Sequence, residues 1–372
     1  MHLNKWLALG AAGVLSVGIA ACGSDSNSSG STSNGSSTTG DAGSSVSATL
    51  NGAGSTFAAP IYSQWGADLK GQGLTVNYQP VGSGAGIAQL AQGTVQWAGS
   101  DPPLAPADVA TLKKGTPAQF PVALGAITAS YNLDGVKSGL KFDGATLADI
   151  FLGKITKWND PAIAKLNPGV SLPSSNITVV HRSDDSGTTK GFTQFLANYS
   201  PAWKSGPGVD KTVKWPVGTG AKGNDGVAAA IKQTPGSIGY VEQAYALQNN
   251  FTFADVKNSS GKFVSPTLES TTAAADGVKV PDDLGISVID SPNAAAYPIS
   301  SQTFIDTYQD LCKGAGMDAN TAKGFVAFMD YALGTGQDTL TKLSYAPLPD
   351  SIKSKVQTAV DALQCNGAPA KG

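Results

Sequence analysis

The sequence predicts an α/β protein with helices layered on largely parallel strands. Short apolar or β-branched runs alternate with segments of helical apolar spacing along most of the chain. Turns rich in glycine and hydroxyl residues separate many of those runs from the helix that follows. From about Thr49 to Gly372 the chain is long for one core, so two domains are expected.

The elements read off in order. Leu74–Val81 is strand-like and Ile87–Ala91 helical. Val95–Ala98 is strand-like and Ala107–Leu112 helical. Val122–Tyr131 is extended, followed by a helix over Thr146–Leu152. Ile177–Val180 leads into a helix after Ser186 that carries Phe192, Phe195 and Leu196 on one face. Val213–Val217 is extended and precedes a helix from about Asp225 to Gln233, and Ser237–Val241 is again extended. In open α/β sheets ligands bind beyond the carboxyl ends of strands, so the strand-to-helix turns are the places to look.

The N-terminus reads as an export device. Lys5 precedes an apolar stretch, Leu7 to Ala21, too short to span a bilayer. It ends Ile19-Ala20-Ala21-Cys22, which resembles a bacterial lipoprotein signal with Cys22 as the lipidated mature terminus. An ordinary signal peptide cut at Ala20-Ala21 is the alternative. Residues 22–48, almost entirely Ser, Gly, Thr, Asn and Asp, read as a disordered tether. Export also predicts that Cys312 and Cys365 pair as a staple between C-terminal helices, two buried free thiols being the alternative.

Charge is sparse, at 14% of residues, and the net charge is −2. No Lys/Arg run exists, which argues against nucleic acid as a partner.

The segment Arg182-Ser183-Asp184-Asp185-Ser186-Gly187-Thr188-Thr189 stands where a strand ends and a helix begins. Free N–H groups and the positive helix end suit an anion there, and one arginine aimed at the same place suits a tetrahedral oxyanion. Three other turns share this character: Gly52–Phe57, Val81–Gly86 and Gly99–Leu104. Each taken singly is also explained as a helix cap.

Catalytic readings find little support. His2 is lost with the signal, which leaves His181 as the sole imidazole, and strand alternation turns it away from Arg182. No triad, zinc pattern or Walker motif is present, so no enzyme, catalytic residue, metal or cofactor is expected. Gly218-Thr219-Gly220-Ala221-Lys222-Gly223 fits G-x-G-x-x-G but reads as a turn before a helix capped near Asn224 or Asp225.

Taken together, the motifs resemble the substrate-binding proteins of high-affinity phosphate ABC transporters. The resemblance rests on Gly52–Phe57, Asn77–Gln79, Gly82-Ser83, Ser100–Leu104, Arg182–Thr188, Gly153–Ile155, Trp158–Ile163, Lys214–Pro216, Gly223–Gly226, Gly236–Glu242 and Tyr345–Pro349. It implies a two-lobed, hinged periplasmic-binding-protein-like fold of type II. The expected lobes are residues 49–126 plus 298–372, and residues 127–297. The implied phosphate ligands are Thr56, Phe57 through its backbone N–H, Ser83, Asp101, Arg182, Ser186, Gly187 and Thr188. Asp184 is expected to hold the Arg182 fork. Asp101 is expected to accept a hydrogen bond from a protonated phosphate oxygen and so to reject sulfate. The implied partners are inorganic phosphate, a permease and an ATPase, with lipid anchoring outside the cell membrane and a monomeric state. A phosphate sensor or adhesin on the same fold is the alternative. Pro102-Pro103 and His181 depart from the family pattern, and the cysteine pair is not a general family feature.

Overall fold

The fold is taken from a computed structural model, which describes residues 46–371. The signal, Cys22 and the tether up to residue 45 lie outside the described residues. β1 already begins at Ala48 and Val46 packs against the core, so the last residues of the expected tether belong to the fold.

One nine-stranded sheet organises the molecule. Its strands are β1 (Ala48–Gly54), β2 (Leu74–Pro80), β3 (Trp97–Ser100), β4 (Pro117–Asn132), β5 (Thr178–Arg182), β6 (Thr219–Ala221), β7 (Ser237–Glu242), β8 (Thr252–Phe253) and β9 (Ser300–Tyr308). Their order is β2-β1-β3-β9-β4-β7-β5-β6, with β8 also on β4.

The largely parallel sheet expected from the alternation is corrected here. β1 pairs parallel with β2 and β3, and β5 with β6 and β7. But β9 runs antiparallel to β3 and β4, and β4 antiparallel to β7 and β8. Helical crossovers keep β1, β2 and β3 parallel to one another, and likewise β5, β6 and β7. β9 returns from far down the chain and is free to run the other way.

β4 is the longest strand, with residues 119–131 buried throughout. Its partner changes midway: Ala126 faces Ser300 of β9, and Ile127 faces Glu242 of β7. The sheet therefore has two halves that share one strand.

The helices follow from their apolar spacing and end signals. In α1 (Ala59–Lys70), Pro60 opens the helix and Ile61, Tyr62, Trp65 and Leu69 form the buried stripe. α2 (Ser83–Gln92) closes on Gly93 at φ 78°, a left-handed position that glycine adopts without strain. α3 (Pro106–Thr111) follows β3. α4 (Gly187–Tyr199) is capped by Ser186, whose hydroxyl accepts the Thr189 N–H. α5 (Gly223–Gln233) follows β6.

Three local expectations are revised. Val213–Val217 is irregular, and the strand lies later, at Thr219–Ala221. Pro216 has no N–H for a ladder, and Trp215 fixes the segment by stacking on His181 and Tyr240. The G-x-G-x-x-G stretch is accordingly an edge strand rather than a plain turn. Cys312 and Cys365 are bonded, but they join a turn after β9 to the short C-terminal hairpin, not two helices.

Candidate functional site

Hydrogen bonds connect all four turns singled out in the sequence. Gly187 N–H donates to Ser83 Oγ at 3.2 Å, and Asp101 N–H reaches the same oxygen at 3.4 Å. Ser55 Oγ, in the turn after β1, donates to Asp101 Oδ1 at 2.5 Å. Arg182 Nη1 reaches Thr188 Oγ1 at 3.4 Å. Thr56, Phe57, Ser83, Asp101, Arg182, Ser186 and Thr188 are each at most 3% exposed, so water is largely excluded from the cluster.

Arg182 ends β5, where its N–H donates to Tyr240 Oη at 3.1 Å. Its guanidinium grips Asp184 in parallel: Nε to Oδ1 at 2.7 Å and Nη2 to Oδ2 at 2.5 Å. Gly223 N–H adds a bond to Asp184 Oδ1 at 3.1 Å. Burial pushes the Asp184 carboxyl up, but the Arg182 bonds and charge, with the Gly223 N–H, hold it below the ordinary carboxylate range.

Asp101 differs from Asp184, whose oxygens are taken up by Arg182: no cation is bonded to it. Its Oδ1 is occupied by the Ser55 hydroxyl and by Thr303 Oγ1 at 3.1 Å. Its Oδ2 faces Gly187, where an added Cβ would lie only 2.6 Å from it. Burial pushes the Asp101 carboxyl up to about 6, against the opposing pull of Ser55, Thr303 and Arg182.

The Phe57 ring is core and packs edge-on to Tyr345. The Phe57 carbonyl accepts from Tyr345 Oη at 2.5 Å. Ser186 is both cap and cluster member, and its own N–H donates to the Lys211 carbonyl. His181 sits on the other face of β5, stacked on Trp215 with ring centroids 4.7 Å apart. Its Nδ1 lies 3.0 Å from the Arg182 carbonyl, and burial pushes its pKa down.

Sequence reasoning missed Ser55, Thr303 and Asn224. Ser55 adjoins Thr56 in the same turn and carried the same signal. Thr303 lies on β9, and only the sheet order brings it to Asp101. Asn224 is not a helix cap: it is the second residue of α5, and its buried side chain reaches Thr56 Oγ1 at 2.9 Å.

Comparison with known proteins bears on this cluster. Residues 39–331 match the model of the PBP superfamily domain. The phosphate-binding protein PstS of Haemophilus influenzae is 42% identical over 316 residues, covering 83% of this chain and 92% of that one. The chain belongs to the phosphate-binding protein family. Another member, PstS3 of Mycobacterium bovis, is 39% identical and covers 98% of this chain and 100% of its own. Among solved structures, a high-affinity periplasmic phosphate-binding protein (PfluDING) with bound phosphate superposes with a TM-score of 0.70. It is 25% identical, over 86% of this chain and 98% of that one. The fold is therefore that of the periplasmic binding proteins, and the type II expectation agrees with the observed strand order.

Proposed function

We propose that this protein captures inorganic phosphate outside the cytoplasm and delivers it to an ABC-type importer. The observation that carries the reading is Asp101: one buried acceptor set among hydroxyl, N–H and guanidinium donors. Such a set fits an oxyanion that still bears one proton. Phosphate at neutral pH keeps that proton and sulfate does not, so sulfate leaves Asp101 facing an unpaired charge.

The ligands in this reading are Thr56, the Phe57 N–H, Ser83, Asp101, Arg182, Ser186, Gly187 and Thr188, with Asp184 orienting Arg182. Gly187 N–H bonds Ser83 here and would turn to the anion when it enters. Residues 49–126 plus 298–372 and residues 127–297 act as two lobes hinged where β4 changes partner, and phosphate bridges them. Export with Cys22 lipidated would hold the protein at the outer face of the cell membrane, within reach of the permease and its ATPase. No catalytic step is assigned.

Calorimetry of the chain against phosphate, sulfate and arsenate tests the reading. One phosphate per chain is expected, with sulfate about 10⁴-fold weaker or more and arsenate close to phosphate. Equal binding of phosphate and sulfate would end it.

A further inference from the structure

Resting on the phosphate reading, we infer that Asn224 is a positioning residue that fixes the direction of two hydroxyl protons toward the anion. Asn224 is the second residue of α5 and is fully buried. The orientation of its amide follows from its partners. The Glu242 N–H lies 2.9 Å away and can only donate, so the atom it meets is Oδ1. The amide nitrogen is thereby turned to the opposite side. There it lies 2.9 Å from Thr56 Oγ1 and 3.4 Å from Thr188 Oγ1.

A hydroxyl has two lone pairs and one proton. Thr56 Oγ1 also accepts the Asn224 backbone N–H at 3.2 Å, and Thr188 Oγ1 also accepts from Arg182 Nη1 at 3.4 Å. Each oxygen thus receives two N–H donors and has only its proton left to offer. Among the described residues neither hydroxyl donates to a protein acceptor. Both protons are left for a ligand that accepts, and the lone pairs that would repel an anion are already engaged.

The position of Asn224 adds a second consequence. Thr56 follows β1 in one half of the sheet, whereas Asn224 and Thr188 belong to the other half. The Thr56 proton is set only when the halves meet, so the donor set is completed by closure.

Two variants test this. Asn224→Asp keeps the size and the acceptor for Glu242 N–H but puts an oxygen where the amide donor was. That oxygen takes the two threonine protons for itself. Phosphate affinity by calorimetry is expected to fall about 100-fold or more, since two bonds to a charged ligand are reversed. Thermal unfolding without phosphate monitors the fold. The second measurement is a cycle of Asn224→Ala with Thr56→Val. If Asn224 acts through the Thr56 proton, the double variant binds little more weakly than the weaker single one. Additive losses in the cycle, or an Asn224→Asp variant within threefold of the parent, would overturn the inference while leaving phosphate capture intact. A parent chain that binds no phosphate overturns both.

Discussion

Lys211 and Asp108 form a 2.5 Å ion pair, with side chains only 10% and 14% exposed. Lys211 lies in the loop whose carbonyl holds Ser186 N–H, and Asp108 lies on α3 in the other half. The pair therefore ties the halves together outside the proposed phosphate shell. Removing one partner strands a largely desolvated charge. Asp108→Asn is expected to speed phosphate release by about 10-fold and to leave association within about twofold. Stopped-flow tryptophan fluorescence measures both rates, and an unchanged release rate would remove the latch.

Asp101→Asn has two expected readouts. Sulfate rejection should relax, because an amide can donate to an unprotonated oxyanion where a carboxylate cannot. The second readout is stability. With its carboxyl pushed up to about 6 from 3.8, folded Asp101 holds its proton to higher pH than the unfolded chain does. Its contribution is therefore intact below about pH 4 and lost as pH rises through 6, a cost of about 3 kcal/mol at pH 8. The asparagine escapes that cost. Relative to the parent, the variant should gain stability between pH 4.5 and 7.5 in urea unfolding without phosphate. A constant difference across that range contradicts the argument.

Gly187→Ala separates binding from folding. Its new Cβ would lie 2.5 Å from Ser83 Oγ and 2.7 Å from Pro102 Cδ, as well as close to Asp101. Alanine is otherwise favoured in a helix. Phosphate affinity is expected to drop by about 100-fold or more as two donors are displaced. The crowding atoms all belong to the other half, so in a phosphate-free protein with its halves apart the melting temperature should change little. Near-normal phosphate binding would show that the turn has room to spare.

The Cys312–Cys365 bond closes a loop of 53 residues. Chain entropy alone assigns it about 4 kcal/mol. Replacing both cysteines with serine should lower the denaturation midpoint and leave phosphate affinity unchanged, because neither residue touches the cluster. A midpoint insensitive to both the replacement and a reductant would show that the loop is already held by other contacts.

The halves of the site differ in how far the chain itself discloses them. Arg182 to Thr188 was legible because a β-branched run, a charge pair and a helix start sit within a dozen residues, so local rules suffice. Thr56, Ser83 and Asp101 were legible as three more turns of that kind, and the family resemblance grouped them. Thr303 was not, since a threonine on a strand carries no mark of its own and reaches Asp101 only through the pairing of β9 with β3 and β4. Asn224 reads as a cap, because asparagine at a helix start usually is one. Only burial and the Glu242 N–H reveal its other use. The antiparallel course of β9 was hidden for the same reason as Thr303: strand direction is settled by distant partners, not by local pattern.

The insertion of β9 between β3 and β4 also constrains how the chain is made. As the polypeptide emerges, β3 and β4 are both present long before residue 300, yet the strand that lies between them is missing. The first half of the sheet cannot be finished until Tyr308 has appeared. If the chain is exported as proposed, this is an advantage, since a channel that passes unfolded polypeptide would be blocked by premature locking. It also means that a protein truncated anywhere before β9 has no complete N-terminal unit to fall back on.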